Sequence, residues 1–460
     1  MKADITARLE EIAGREFVVY DQGHIEDYLY DETERRLRPP ACRDCVVVKP
    51  GKPEEISEIL KLANSENITA VVRGGGTGLC GAAIPVRPSI IISMERFKKI
   101  LEYDDKNFVI TVEAGVTLRE MNEFLQERNV LYFPCHPGGA EAQVGGLAME
   151  NAGDPRAVKH GVMRNHIKGL EVVTPTGALI RLGGKLRKNN AGYDLMQLMI
   201  GSEGTLGVVT KVMLRLYPKT KYSGVLLASF DTCGRAADAV TRTLKRGIVP
   251  LSIEYLNRSV ALRTAEYVGE RWPLEKGRSD LLFIAEEDSE EGLFDVQKAI
   301  EEICSEAGAV ESLVPEAGRD QSVILTICDS AYGAFGEDLT DSMDIAVPPA
   351  DIPRLISGLE QIAERYGAAI DTVGHMGDGN VHSNVYLAEK DIDDYYEDLK
   401  RELYALTVRI GGTITGEYGI GKIRRDSLPV QYDSTQLRLM RGIKELFDPN
   451  GILNPDTAIY

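Results

Sequence analysis

The chain has 460 residues, 43% of them hydrophobic, and a formal net charge of −18. This length exceeds a single hydrophobic core and indicates two or three domains, and the negative charge argues against a nucleic-acid partner. No apolar run is long enough to span a membrane, and the start of the chain lacks the apolar core of a signal peptide, so we expect a soluble, cytoplasmic protein without a transmembrane segment.

Seven cysteines are scattered along the sequence, and an odd, scattered set argues against a disulfide framework. Cys42 and Cys45 form a lone C-x-x-C pair. Because a closed zinc or iron–sulfur site needs more ligands, we interpret this pair as structural.

The first regular elements precede residue 73. The run Val46-Val-Val-Lys-Pro50 predicts a short strand, and Pro53 opens a predicted helix. The apolar residues of that helix share one face: Ile56, Ile59, Leu60 and Ala63. The apolar stretch over residues 68–72 predicts the next strand.

A dense glycine run follows this strand, Val71-Val-Arg-Gly-Gly-Gly-Thr-Gly-Leu-Cys-Gly81. Glycines let the backbone take positive φ and approach a ligand closely, and successive N–H groups in such a turn form a concavity for anions, typically phosphates. A tight turn between strands is the simpler interpretation. The density of glycines directly after a strand favours anion binding.

The run also contains the pattern G-x-G-x-x-G, from Gly76 to Gly81, which is typical of Rossmann dinucleotide sites. That motif needs a helix whose N-terminus faces the pyrophosphate. Here Pro85 and Pro88 block a helix, and the isoleucines after Ser89 favour a strand. We therefore reject the Rossmann interpretation and predict a loop that joins two strands.

The rest of the first half mixes strands with glycine-rich loops. Thr117 and Glu120 predict a capping box at the start of a helix. Residues 134–161 are so rich in glycine that we expect a ligand-lining loop rather than a packed element. Strands are predicted over residues 108–112 and 208–216, and a hairpin over residues 170–177.

After about residue 220 glycine becomes sparser and helices alternate with strands, which indicates a second, α+β domain. The acidic run Glu286-Glu-Asp-Ser-Glu-Glu291 is most simply a solvated edge. No internal repeat is apparent. Helices are predicted near residues 231–246, 292–308 and 351–366, and strands at 223–230, 280–285, 344–347 and 368–373.

Six short motifs are distributed along the chain between residues 73 and 455, and their order and spacing are specific. They are Arg73-Gly-Gly-Gly-Thr-Gly-Leu79, Gly145-Gly-Leu-Ala-Met-Glu-Asn-Ala-Gly153 with residues 156–161, Gly201-Ser-Glu-Gly-Thr-Leu-Gly207, Gly374-His-Met-Gly-Asp-Gly-Asn-Val-His382, Gly416-Glu-Tyr-Gly-Ile-Gly421 and Phe447-Asp-Pro-Asn-Gly-Ile-Leu-Asn-Pro455. The sequence resembles the flavin-dependent oxidoreductases of the vanillyl-alcohol oxidase and para-cresol methylhydroxylase (PCMH) superfamily. Within it, the sequence is similar to the branch of D-lactate, glycolate and D-2-hydroxyglutarate dehydrogenases, including the large flavin subunit of glycolate oxidase.

The resemblance implies an α+β fold class, with a PCMH-type FAD-binding domain of two subdomains and an α+β, ferredoxin-like cap domain. The implied boundaries are 1–219 for the FAD-binding domain and 220–425 for the substrate or cap domain. Residues 426–460 are expected to return to the FAD-binding domain.

The resemblance also implies which residues hold FAD. No histidine lies in the glycine loop, so the usual covalent attachment there is impossible and we expect noncovalent FAD. For Asn151 and Glu203, stabilisation of a turn is an equally good interpretation. The implied cofactor-binding residues are Arg73, Gly74, Gly75, Gly76, Thr77, Gly78, Leu79, Pro137, Gly138, Gly145, Gly146, Asn151, Gly153, Gly161, Glu203, Gly207, Val208 and Asn454.

His375, His382 and Glu417 are candidate metal ligands, because glycines between the histidines permit a tight reversal and two histidines with a carboxylate suit Zn²⁺, Mn²⁺ or Fe²⁺. Structural histidines are the alternative. In the resembling dehydrogenases these positions bind a divalent metal that polarises the substrate hydroxyl, while hydride passes to flavin N5. Tyr418 and Asn384 are the candidate catalytic residues, although Asn384 fits a strand-end hydrogen bond equally well.

The sequence departs from the family pattern around the substrate. Tyr418 replaces the histidine of Gly-Glu-His-Gly, and an unperturbed phenol is a poor base, with a pKa of about 10. The cations expected near Cys328–Asp329 and near Ser342 for the substrate carboxylate are missing, because residues 321–348 contain acids but neither Lys nor Arg. Arg424 and Arg425 are a possible substitute, with surface positions as the alternative.

Three functions remain open at this point. The first is an FAD-dependent dehydrogenase of a hydroxyl-bearing small molecule, such as a D-2-hydroxy acid. The second is a flavoenzyme with changed chemistry, including redox-neutral reactions like those of ether-lipid synthases. The third is a non-catalytic flavin subunit of a larger complex. Because the chain has no iron–sulfur motif of its own, an electron-carrier partner is expected, and a homo-oligomer is possible.

Overall fold

A computed structural model describes residues 3–135, 139–336, 339–387 and 395–459. The chain forms two compact units. Unit 1 comprises Met1–Gly153, Val162–Lys219 and Glu417–Tyr460, and unit 2 comprises Asp154–Gly161 and Thr220–Gly416. The mixed α and β content confirms the predicted α+β class. The functional division at residues 219 and 425 stays a prediction.

Unit 1 contains a four-stranded sheet in the order β1-β2-β4-β3. Its strands are β1 (Val18–Val19), β2 (Val46–Val48), β3 (Thr69–Arg73) and β4 (Ser89–Ser93). β4 runs parallel to both β2 and β3, and its isoleucines are fully buried. A continuous apolar run is what a parallel strand covered on both faces requires. The predicted strand–loop–strand arrangement around residues 74–88 is therefore confirmed.

A second sheet of unit 1 is antiparallel, in the order β5-β6-β10-β8-β9, and a short pair joins β7 to β11. The predicted hairpin is β8 with β9. The strands are β5 (Ile100–Asp104), β6 (Val109–Glu113), β7 (Leu131–Tyr132), β8 (Ile167–Val173), β9 (Leu179–Gly183), β10 (Val208–Arg215) and β11 (Tyr217–Pro218).

The helices of unit 1 pack on these sheets around one large apolar core. The capping box is confirmed: Glu120 N–H donates to Thr117 Oγ1 over 3.1 Å, and Thr117 N–H donates to Glu120 Oε2 over 2.8 Å. The helices are α1 (Ala3–Ala13), α2 (Gln22–Ile25), α3 (Pro53–Glu66), α4 (Leu118–Arg128), α5 (Val144–Glu150), α7 (Met163–His166), α8 (Leu195–Met199), α16 (Leu428–Gln431) and α17 (Ser434–Phe447).

Unit 2 is built on a seven-stranded antiparallel sheet in the order β15-β12-β14-β13-β17-β18-β16. The strands are β12 (Tyr222–Phe230), β13 (Ser252–Asn257), β14 (Ser279–Glu287), β15 (Glu311–Leu313), β16 (Leu339–Ala346), β17 (Ala368–His375) and β18 (Asn380–Leu387). The helices are α6 (Ala157–His160), α9 (Cys233–Lys245), α10 (Arg258–Tyr267), α11 (Glu290–Glu306), α12 (Arg319–Asp329), α13 (Ala331–Ala334), α14 (Ile352–Tyr366) and α15 (Tyr396–Arg409).

The seven-stranded sheet contains a structural repeat. The order β15-β12-β14-β13, with α9 after β12 and α11 after β14, is the β-α-β-β-α-β arrangement of ferredoxin-like domains. Among the described residues, the second half repeats it as β16-α14-β17-β18-α15 with the order β17-β18-β16, and a single bridge between Ala346 and Thr413 takes the place of the last strand. The ferredoxin-like expectation is thus confirmed, and the repeat is one of topology rather than of sequence. The two halves join where β13 pairs with β17.

Two expectations about local structure were wrong. The glycine-rich segment 134–161 is not only loop, because Val144, Leu147 and Ala148 bury one face of α5. The start of the acidic run is not a solvated edge: Glu286 has a side chain that is only 7% exposed, and its Oε1 lies 3.0 Å from Lys159 Nζ. Among the described residues, no helix combines the length and apolar character needed to cross a membrane.

Candidate cofactor and metal sites

The glycine loop between β3 and β4 exposes a row of unused donors. The backbone N–H groups of residues 74–79 donate no hydrogen bond to any residue that the structure describes. The side-chain-bearing positions in the row, Thr77 and Leu79, are half-buried. Consecutive free N–H groups are the feature that binds a diphosphate through its oxygens, so the loop fits the pyrophosphate of FAD.

Glycine is required at the centre of this loop. A Cβ on Gly75 would lie 2.7 Å from the carbonyl oxygen of Glu141, and Gly76 has a φ of 75°. Side chains would therefore clash or strain the backbone where the ligand must approach. Tight packing at Gly75 and the positive φ at Gly76 explain why glycine occurs at these two positions.

Arg73 and Asn454 stabilise the end of β3, from which the loop begins. The guanidinium of Arg73 is buried and donates to the carbonyl oxygens of Tyr30 and Asp27 over 2.8 and 3.1 Å. Asn454 Oδ1 accepts the N–H of Val72 over 2.8 Å. Both predicted cofactor residues therefore fix the end of β3, and their direct contact with FAD stays a prediction.

The predicted residues on α5 have different surroundings. A Cβ on Gly145 would lie 2.7 Å from the Cβ of Ala114, so this glycine serves close packing, whereas none of the described residues lies within 4 Å of the Cβ position of Gly146. Asn151 ends the helix with a φ of 54°, and its Oδ1 accepts the N–H of Arg164 over 2.9 Å. The open side of α5 at Gly146 is where a ligand has room.

Gly207 and Val208 lie inside unit 1. Val208 is fully buried in the core, and a Cβ on Gly207 would lie 2.5 Å from Val172. Gly161 belongs to unit 2, while Pro137 and Gly138 lie outside the described residues. Roles for these residues in binding FAD stay predictions.

The histidine pair is formed by the hairpin of β17 and β18. His375 Nε2 lies 3.5 Å from His382 Nε2, and the two rings stand at 83°. His375 Nδ1 lies 2.6 Å from Glu254 Oε2, because Glu254 is directly opposite His375 in the register of β13 and β17. A carboxylate on Nδ1 fixes the tautomer that leaves Nε2 as a metal ligand.

This geometry fits a divalent metal. Two nitrogens bound to one tetrahedral zinc, each about 2.0–2.1 Å away, are about 3.3 Å apart. The observed 3.5 Å is close to that separation and longer than an ordinary hydrogen bond. The third predicted ligand, Glu417, belongs to unit 1, where it lies beside Gly153. Its role in coordination stays a prediction.

Glu254 is a site residue that the sequence analysis missed. It is 9% exposed and its Oε1 accepts the hydroxyl of Ser252. The signal was available, since Glu254 is a lone acid inside the apolar stretch 251–256. An acid in a buried strand needs a partner, and the sequence alone does not identify which residue lies across the sheet.

Asn384 shares a face of β18 with His382, two residues earlier along the strand. It is 1% exposed, and its Oδ1 has no hydrogen-bond partner among the described residues. The alternative interpretation, a strand-end hydrogen bond, has only the 3.5 Å approach of Asn384 Nδ2 to the carbonyl oxygen of His382. An orphaned buried acceptor suits a ligand hydroxyl or water.

The position expected to carry a substrate-binding cation is acidic. Burial raises the pKa of Asp329, and the nearby Glu254 raises it further, while Arg156 lowers it. Arg424 is not a surface residue: it is 2% exposed, its guanidinium lies 5.9 Å from the ring centre of Tyr418, and its Nη1 donates to the carbonyl oxygen of Leu79. Arg425 pairs with Asp456 over 3.1 Å.

Two family models match the chain. The model described as "FAD binding domain" matches residues 45–183, and the model described as "FAD linked oxidases, C-terminal domain" matches residues 219–458.

Curated relatives match over nearly the full length. The chain is 38% identical to a D-lactate dehydrogenase of Archaeoglobus fulgidus, with 94% of this chain and 95% of the relative covered. It is 32% identical to the glycolate oxidase subunit GlcD of Bacillus subtilis, with coverage of 98% and 96%.

Solved structures share the fold at lower identity. The chain superimposes on p-cresol methylhydroxylase with a TM-score of 0.78 at 17% identity, covering 99% of this chain and 96% of that one. An alkyldihydroxyacetonephosphate synthase gives a TM-score of 0.76 at 18% identity, with coverage of 99% and 86%.

Proposed function

Since the chain belongs to the FAD-linked oxidase family, within the branch of D-lactate and glycolate dehydrogenases, we propose that it oxidises the hydroxyl group of a D-2-hydroxy acid such as lactate or glycolate. FAD is bound noncovalently in this proposal. The observation that carries it is the pair of Nε2 atoms of His375 and His382 at 3.5 Å, with a carboxylate behind one of them.

Residues 74–79 hold the diphosphate of FAD through their free N–H groups, and His375 with His382 holds a zinc, iron or manganese ion, for which Glu417 is the proposed third ligand. When bound, FAD supplies a hydride acceptor and the metal supplies a Lewis acid for the hydroxyl. Asn384 orients the substrate hydroxyl or carboxylate through its amide.

Tyr418 accepts the hydroxyl proton at its phenol oxygen. Because an unperturbed phenol has a pKa of about 10, it needs nearby positive charge to act as a base near neutral pH. The guanidinium of Arg424, 5.9 Å from the centre of the Tyr418 ring, supplies such a charge.

A second candidate follows from the missing cation. Residues 321–348 contain no Lys or Arg, and Asp329 lies near the position where the resemblance implies an arginine. A substrate without a carboxylate, or a redox-neutral flavin reaction, would suit that charge better. A third candidate, a flavin subunit without its own substrate, has weaker support because the histidine pair is intact.

Anaerobic mixing of the purified, metal-loaded protein with D-lactate, glycolate and D-2-hydroxyglutarate tests the proposal. Bleaching of the flavin absorbance by one of them is the expected result. If none bleaches it but a neutral alcohol does, the second candidate replaces the first. If FAD is bound and no small molecule reduces it, the third does.

Electrons leave the flavin to an iron–sulfur or other carrier subunit in this proposal. It is supported by relatives named as subunits of glycolate oxidase and by the absence of a cluster motif in the sequence. Co-purification with such a protein from the native source tests it. Cytoplasmic location and a homo-oligomeric state stay predictions.

A further inference from the structure

We propose that Glu203 is a positioning residue whose carboxylate holds the turn over residues 417–421, next to the buried side chain of Glu150. All of these groups belong to unit 1. The inference rests on the proposed function, because this turn carries Glu417 and Tyr418. It also has a readout that needs no substrate.

Both oxygens of the Glu203 carboxylate accept hydrogen bonds from this turn. Its Oε1 accepts the N–H of Ile420 over 2.8 Å, and its Oε2 accepts the N–H of Gly421 over 2.6 Å. The backbone of Glu203 is itself fixed, since its N–H donates to the carbonyl oxygen of Met149 and its carbonyl oxygen accepts Asn454 Nδ2. Charge-assisted bonds of this kind are about twice as strong as neutral ones.

The turn lies directly on both carboxyl groups. A Cβ on Gly419 would be 2.7 Å from Glu150 Oε2 and 3.2 Å from Glu203 Oε1. Gly419 also has a φ of 85°. A side chain at this position would strain the backbone and displace the Glu150 carboxyl group, so the turn packs closely on the carboxyl pair.

The two carboxyl groups differ in their surroundings. Glu150 Oε2 is buried and has no hydrogen-bond partner among the described residues. Burial raises the pKa of Glu150 well above its usual range, and the nearby Glu203 and Asp31 raise it further. Burial also raises the pKa of Glu203, but the N–H groups of Ile420 and Gly421 and the charge of Lys422 oppose this shift because they stabilise its carboxylate form. Burial without a donor on Oε2 therefore favours an uncharged Glu150, whereas the two N–H groups favour the carboxylate form of Glu203.

The same turn is attached to the end of the glycine loop. The carbonyl oxygen of Cys80 accepts the N–H of Lys422 over 2.9 Å, and Lys422 Nζ donates to the carbonyl oxygen of Ala82 and to Thr457 Oγ1, each over 2.8 Å. Hydrogen bonds thus connect the end of the glycine loop to the turn that carries Tyr418. Glu203 is the carboxylate that binds this turn.

Hydrogen exchange on the FAD-loaded protein tests the inference. In Glu203→Gln and Glu203→Ala, we expect the amides of residues 420 and 421 to exchange at least tenfold faster, while FAD content is retained. Glu150→Gln reproduces an uncharged Glu150, so its exchange should match the wild type. If any substitution of a buried carboxyl group loosened the turn, exchange would be faster in Glu150→Gln as well as in the Glu203 variants.

Glu171→Gln is the matched control. Glu171 is a buried carboxylate of unit 1 whose partners are the side chains of Arg181, Lys211 and Thr210. Its substitution should leave the hydrogen-exchange rates of the amides of residues 417–423 unchanged. The rate of flavin reduction, measured with the compound of the D-lactate, glycolate and D-2-hydroxyglutarate panel that reduces the wild type, should fall at least tenfold in the Glu203 variants. In Glu150→Gln this rate should stay within twofold of wild type. Unchanged exchange at residues 420 and 421 in Glu203→Ala would overturn the inference.

Two further measurements keep the inference open to refutation. If the Glu203 variants fail to fold, the wild-type amides of Ile420 and Gly421 must be the slowest to exchange within residues 417–423, and fast exchange there contradicts the proposal.

Cys80 Sγ and carboxylate oxygens of Glu150 and Glu203 lie within 4.8 Å of one another. Faster exchange of the turn after chelation would assign that cluster to a cation instead.

Discussion

Glu254 and His375 face each other across two antiparallel strands, with Glu254 Oε2 2.6 Å from His375 Nδ1. This contact joins the two halves of the ferredoxin-like repeat at the candidate metal site.

Removing the charge of Glu254 should weaken metal binding. In Glu254→Gln we expect the affinity for Zn²⁺ or Mn²⁺ to fall by about 10- to 100-fold, because the ligand imidazole loses the carboxylate that orients it and raises its basicity. Isothermal titration of metal-depleted protein measures this. Glu171→Gln, which removes a buried carboxylate in unit 1, should bind metal like the wild type. Equal affinities for Glu254→Gln and wild type would contradict the site.

A methyl group in the glycine loop should abolish flavin binding. A Cβ on Gly75 would lie 2.7 Å from the carbonyl oxygen of Glu141, so Gly75→Ala must displace the loop that presents the free N–H groups. We expect a colourless protein with an unchanged far-UV circular dichroism spectrum. Gly442→Ala, where the described part of the chain has no atom within 4 Å of the added methyl group, should stay yellow. A Gly75→Ala variant with full FAD content would show that the diphosphate binds elsewhere.

Loss of the Tyr418 hydroxyl should slow the chemical step. In Tyr418→Phe we expect flavin reduction to fall by about 10²- to 10⁴-fold, the usual contribution of a general base, with FAD content unchanged. Stopped-flow absorbance under anaerobic conditions gives the rate. Tyr193, whose side chain is 96% exposed, provides the control variant Tyr193→Phe. A reduction rate within twofold of wild type would exclude Tyr418 as the proton acceptor.

Glu286 should make the protein sensitive to acid. Burial raises the pKa of this carboxyl, but hydrogen bonds from His160, Lys159 and Thr220 outweigh burial and lower the pKa to about 2. A depressed pKa stabilises the folded state above the ordinary Glu pKa of about 4.3, and that stabilisation is lost as pH falls from there toward 2.

In Glu286→Gln we therefore expect the free energy of unfolding at pH 7 to fall by about 2 kcal/mol, and the difference from wild type to shrink between pH 4.3 and 2. Urea unfolding of the FAD-loaded protein at several pH values measures it. Asp238→Asn removes an exposed ion pair with Arg242 and should change stability by less than about 0.5 kcal/mol. A difference between Glu286→Gln and wild type that does not depend on pH would refute the ion pair.

Local chemistry along the chain was sufficient to predict much of this protein. The capping box of Thr117 and Glu120, the helix opened by Pro53 and the helix-free loop between two strands depend on neighbours within a few residues, and each is confirmed. The motifs around Gly75 and His375 indicated the family for the same reason, since a binding loop is a continuous stretch of sequence.

Tertiary structure alone decided what lies across the sheets and beneath the loops. Glu254 is 121 residues from His375, and Glu203 is 217 residues from Ile420, so no periodicity relates either pair. Strand register brings the first pair together, and packing of α5 and the last segment of unit 1 brings the second. Because a buried carboxylate acquires its role from the donors placed around it, the roles of these two glutamates appeared only once the chain was folded.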